Sequence, residues 1–159
     1  MAERRRLSFA NLDDVLHDVA VLRLRGYEAL GRWNLGQICA HLDDWMRYPL
    51  DGYPRTPLLM APVLWSMRVT VGPGMLRKIL ESGRMSNASP TLPVSVHGPE
   101  EDETAAVERL TQTIRRFRSH RGKFLPSPLF GPLSPAQADL LQRIHAAHHL
   151  SFLVPLGER

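Results

Sequence analysis

Apolar residues recur along this chain mostly at three- and four-residue intervals, the spacing that gathers them on one face of an α-helix. The first such set is Leu12, Val15, Leu16, Val19 and Leu22. Asn11 stands where an N-cap belongs and Gly26 where a helix stops, so the pattern predicts a helix from Asn11 to about Arg25. A second set is Leu35, Ile38, Leu42, Trp45 and Met46. Asn34 and Gln37 open it as a near-version of the capping box, and Pro49 is expected to end it. The stretch "TPLLMAPVLWSM", Thr56 to Met67, has Thr56 as a cap and Pro57 in the first turn. From there to about Val71 almost every residue is apolar, which predicts the most buried helix of the molecule, bent at Pro62. "GPG" at 72–74 is expected to break it, with a short helical piece following to Glu81.

From Gly83 to Pro99 the composition turns to Gly, Ser, Asn, Pro and Thr, which reads as a long surface loop. A long amphipathic helix covers about Glu101 to Ser119, with Ala106, Val107, Leu110, Ile114 and Phe117 on one face. A second loop, "GKFLPSPLFGPL", leads to the last helix. It opens at "SPAQ", with Ser134 as cap, Pro135 in the first turn and Gln137 closing the box, and runs to about Val154. No segment shows the sustained alternation of a strand, and no internal repeat is visible. Four main helices, a short extra helical segment and long loops predict an all-α protein, an antiparallel four-helix bundle.

The bulk numbers narrow this little. A chain of 159 residues suits a single domain, residues 1–159, and 43% hydrophobic with 23% charged residues reads as soluble and globular. The longest uncharged apolar run is too short to span a bilayer before Arg68 interrupts it. The basic start "MAERRRLSFANLDD" leads into no apolar segment, and the lone Cys39 fits a reducing compartment, so a cytoplasmic protein is expected, with no membrane partner. The net charge of +4 is carried by arginine, most densely in "RRFRSHRGK", Arg115 to Lys123. That run reads as a solvated helix C-terminus whose cations complement the helix dipole. Its rival reading is a landing patch for an anionic ligand on a non-catalytic binding or dimerisation module. Aromatic residues do not interleave the run, so nucleic acid is not expected.

The candidate chemistry lies in "RIHAAHHLSFLV", residues 143 to 154. At about 100° per residue the apolar stripe of the last helix centres on Leu141, Ile144 and His148. His145 and His149 stand one above the other on its flank, the i, i+4 geometry that lets two imidazoles share one ion. His145 with His148, at i, i+3, is a second pair that periodicity leaves open. A third ligand must come from elsewhere. On the second helix His41 lies on a polar flank with Gln37, Asp44 and Tyr48, so His41 is the candidate third ligand and Asp44 a fourth or an orienting partner. His17, His97 and His120 have no partner at ligand spacing. Cys39 points towards the packed side and reads as a small core residue.

Two segments also carry a resemblance. "WNLGQICAHL", Trp33 to Leu42, resembles the second-helix segment of the DinB/YfiT-like metalloenzyme superfamily, and "HAAHHLSFL", His145 to Leu153, resembles its last-helix segment. With "RRLSFANLDDVLHDV", the "DGYP" turn and "LFGPLSPAQ", the likeness covers roughly Arg5 to Pro155 and points to an uncharacterised bacterial branch. It implies a four-helix bundle, often a homodimer, with a divalent ion held by three histidines, here His41, His145 and His149. Zn²⁺ is the first choice of ion, Ni²⁺ or Fe²⁺ the alternatives. Relatives in the superfamily include transferases and isomerases that use low-molecular-weight thiols, so a small-molecule substrate of that kind is implied. Asp44 and Tyr48 are then the nearest candidates for proton transfer.

Overall fold

The computed structural model describes residues 3–55, 57–86 and 93–157. Among them are six α-helices and one small sheet of two strands. Local capping explains most helix starts. In α1, Leu12–Arg25, the Asn11 side chain accepts from the Asp14 N–H and the Asp14 carboxylate accepts from the Asn11 N–H. The same reciprocal box opens α2, Leu35–Asp51, through Asn34 and Gln37, and α6, Pro135–Leu150, through Ser134 and Gln137. Asp102 caps α5, Glu103–Ser119, from one side only.

Pro49 does not end α2. The helix runs two residues past it to Asp51, and Gly52 at φ 123° closes it. A proline withholds the N–H that the carbonyl four residues earlier expects, here that of Trp45. Gln142 of α6 supplies the missing donor, its Nε2 lying 3.0 Å from the Trp45 carbonyl. The gap in one helix is filled from its neighbour.

The last helix is also shorter than expected. It stops at Leu150, and Leu153–Pro155 form β2, paired antiparallel with β1, Tyr27–Ala29, with Tyr27 opposite Pro155 and Ala29 opposite Leu153. The all-α expectation is thus corrected to a mostly helical protein with a small sheet. Strands of three residues are too short to show alternation in a sequence.

One apolar core joins α1, α2, α5 and α6. Leu12, Leu22, Leu35, Leu42, Leu110, Ile114 and Leu150 are among its fully buried members. Contact is closest between α2 and the start of α5. A Cβ on Gly36 would stand 2.9 Å from the Glu101 carbonyl oxygen and 3.2 Å from Glu103 Cα, so only glycine allows this approach.

The apolar stretch after Pro57 reverses its expectation. Its proposed cap, Thr56, lies outside the described residues. A 3₁₀ turn at Leu58–Met60 leads into α3, Ala61–Thr70, where Pro62 sits in the first turn and starts the helix instead of bending it. No residue of α3 is buried, and Leu58, Leu59 and Trp65 are 90%, 91% and 66% exposed. An apolar sequence states a need for cover but not the surface that supplies it, and the four core helices already fill the interior. The helix does break at "GPG", with α3 ending at Thr70 and the following helical piece reaching Ser82. Gly72 begins α4, Gly72–Ser82, where a Cβ would collide with the Leu129 carbonyl. The loop after Gly83 is not all surface: its Pro93–Ser95 turn lies over α2, with Ser95 fully buried.

Candidate metal centre

The site forms where α2 meets α6. His41 is two turns into α2, and His145 and His149 occupy the last two turns of α6. One ring nitrogen from each lies within 4.8 Å of the others, so the three could hold a metal ion. Their ring centroids are 4.5 to 5.0 Å apart. His41 and His145 are buried, His149 half-buried. Trp33 stacks on His149 at 5.4 Å, and Trp45 meets His145 edge-on at 5.6 Å, so aromatic walls limit water around the imidazoles.

Hydrogen bonding fixes which nitrogen points inward. His41 Nδ1 lies 2.8 Å from the Ser95 carbonyl, which can only accept, so Nδ1 carries the proton and Nε2 keeps its lone pair. That Nε2 faces His145 Nε2 at 3.2 Å, a contact that in the metal-free protein needs a proton on His145. The separation is close to the roughly 3.4 Å between two nitrogens on a tetrahedral zinc with bonds of about 2.0–2.1 Å.

Burial also sets the charge state. Desolvation pushes His41 down to about 4, opposed in part by its bond to Ser95 and by the Asp44 charge. It pushes His149 to about 2 and His145 well below the usual imidazole range, with the neighbouring histidines adding to both. At neutral pH all three rings are uncharged and offer lone pairs, the form a divalent ion requires. Three neutral imidazoles, with His41 preset in tautomer and indole rings as walls, fit such an ion on chemistry and on placement. Cys39 does not join them: burial raises its thiol to about 12, and it sits in the core.

The other expected residues fall elsewhere. Asp44 is buried, but its carboxylate accepts from Arg47 at 2.7 Å and from His97 at 2.8 Å, so the Ser95 carbonyl is what orients His41. Tyr48 lies about 10 Å further along α2, packed on Trp45 and Tyr53 at 5.8 and 5.7 Å. Burial pushes its phenol upward. His148 does not turn into the core. It is half-exposed beside Arg4, whose guanidinium donates to the His148 carbonyl at 3.0 Å. α6 packs against α1, α2 and α4, and the residues it buries there include Gln142, His145, Ala146 and Ala147 but not His148.

His97, which has no partner at ligand spacing, stays outside the three-histidine cluster but meets two carboxylates. Nε2 meets Asp44, and Nδ1 lies 3.5 Å from Glu101. The one sequence signal for this was the surplus of polar side chains on the flank of α2. His17 is exposed, and His120 stacks on Phe124. In the basic run, Arg116 pairs with Asp51, Arg118 with Asp13, and Arg121 donates to the Arg118 carbonyl. Arg116, His120 and Arg121 also border an open depression of about 370 Å³.

Comparison with curated proteins and with solved structures gives no match. A family described as "Protein of unknown function (DUF1569)" matches residues 1–156. The chain therefore belongs to the DUF1569 family, a group defined by its sequence and not by an assigned activity.

Proposed function

We propose that this protein binds one divalent ion through His41, His145 and His149 and acts as a metal-dependent transferase or isomerase on a small molecule, with a low-molecular-weight thiol as co-substrate. The observation that carries the reading is the convergence of three neutral imidazole nitrogens, all within 4.8 Å of one another, in a largely buried site. The ion would supply one thing, a lowered pKa for a thiol held as its nucleophilic thiolate. Three protein ligands leave room for that thiol, the ligand count of catalytic and not structural zinc. The donor set suits zinc first, with nickel or iron(II) as alternatives.

The chain's own groups prepare the site. Ser95 presets the His41 tautomer, and Trp33 and Trp45 shield the rings. Asp44, held between Arg47 and His97, and Tyr48 are the nearest candidates for proton transfer to or from a bound substrate. Histidines from α2 and α6, in that order, also support kinship with the DinB/YfiT-like superfamily and the assignment of α1, α2, α5 and α6 to its four-helix bundle. We place the protein in the cytoplasm, because its one cysteine is a free buried thiol, and we take the working unit to be a homodimer.

The test is elemental analysis of the tag-free protein beside His149→Ala. About one ion per chain in the parent and none in the variant is the expected result. Full retention in a folded His149→Ala would remove the triad.

A further inference from the structure

The polar flank of α2 does more than supply His41. Four further side chains from α2 and its N-cap reach one short segment, residues 95–99. Asn34 Nδ2 donates to the Pro99 carbonyl at 3.1 Å, and Gln37 Nε2 to the His97 carbonyl at 2.7 Å. His97 Nε2 donates to Asp44 at 2.8 Å, and Trp45 Nε1 to Ser95 Oγ at 3.2 Å. These residues fall at 34, 37, 41, 44 and 45, the spacing of one helical face. The segment is thus a strap laid along α2, and Ser95, at its most buried point, puts its carbonyl on His41 Nδ1.

A backbone carbonyl cannot hold itself in place. Its position depends on whatever fixes the chain on either side. On the downstream side Gln37 and Asn34 hold two of the strap's carbonyls, and the His97 side chain adds a link through one imidazole to Asp44 and to Glu101, which is itself paired with Arg109 of α5. Asp44 is in turn held by Arg47 at 2.7 Å. The lock is therefore built from α2 and α5 together, and neither His97 nor Asp44 contributes to the three-histidine cluster.

Resting on the metal reading above, we propose that His97 and Asp44 are positioning residues that lock the 95–99 strap, and through the Ser95 carbonyl hold His41 in the tautomer that ligates metal. A loosened strap lets the His41 proton move to Nε2, where it blocks the lone pair the ion needs. Outer-shell partners of this kind are worth about 10- to 100-fold in metal affinity.

The experiment uses the full chain as the parent, His97→Leu, Asp44→Asn and His97→Gln, each checked for helix content by circular dichroism. Nitrogen-15 NMR of the metal-free proteins reads the His41 tautomer, and chelator competition reads zinc affinity. The parent is expected to show His41 protonated only at Nδ1. His97→Leu is expected to mix the tautomers and weaken zinc about 10- to 100-fold. Asp44→Asn, which keeps shape and drops charge, shifts both readouts less in the same direction. His97→Gln, whose amide can donate to Asp44, restores them. An unchanged tautomer in both folded His97→Leu and Asp44→Asn overturns the proposal. A tautomer that moves as described in a protein that takes up no zinc retains the lock and removes the metal reading instead.

Discussion

A buried imidazole is cheap to keep neutral and costly to charge, and this site holds three of them. In the folded chain His41 titrates near 4 and His149 near 2, while unfolded histidine titrates near 6.5. Above about pH 6.5 both states are neutral and these groups cost nothing. As pH falls below that, the unfolded chain takes up protons the folded chain refuses, so stability drops. The metal-free protein should therefore lose stability as pH falls from about 6.5, down to about 4 for His41 and about 2 for His149, by up to roughly 1.4 kcal/mol per pH unit for each histidine. Urea denaturation of the metal-free chain at pH 7, 6 and 5 measures this, and equal stabilities would contradict the burial of the three rings.

The same residues show what a sequence discloses. Helical period sets His145 and His149 at i, i+4 and His41 on a polar flank, but leaves His145 with His148 equally open; the family resemblance is what singles out the triad. Neither discloses Ser95 or His97, because their partners His41 and Asp44 lie 54 and 53 residues away and the strap has no period to read. The apolar stripe predicts His148 in the core, whereas the packing of α6 on three neighbours leaves it beside Arg4.

At the scale of elements, the helix starts were legible because caps are local: each box spans four residues. Helix ends were not, where another element intervenes. Pro49 is the clearest instance, since its missing N–H is made good by Gln142 from across the α2–α6 contact. Gln142→Ala should leave the Trp45 carbonyl unpaired at a cost of about 1–3 kcal/mol. Pro49→Ala restores a helical N–H to that carbonyl, so the cost of Gln142→Ala should shrink in the Pro49→Ala background. Denaturant unfolding of the two single variants and the double closes this cycle, and additive effects would show that Gln142 does not stand in for the proline. The apolar α3 segment was misjudged for the opposite reason. Its composition predicts burial, but among the described residues no element covers it.

For the whole molecule, that leaves eight large apolar side chains between Leu58 and Val71, each 38% to 91% exposed. Monomers seldom leave so much apolar surface in one place. If the working unit is a homodimer, this is the face it would cover. Sedimentation should then give a dimer for the parent and a monomer for Trp65→Glu, and a parent monomeric at all concentrations would contradict the assembly. Among the described residues no helix is long and apolar enough to cross a membrane.

The central claim is that His41, His145 and His149 hold a metal, and its most direct test is the metal content of the purified, tag-free chain. The account predicts about one divalent ion per chain in the parent, lost in a His149→Ala variant that keeps its helical signal. A parent that binds none after zinc is supplied, or a variant that binds as much as the parent, would contradict it.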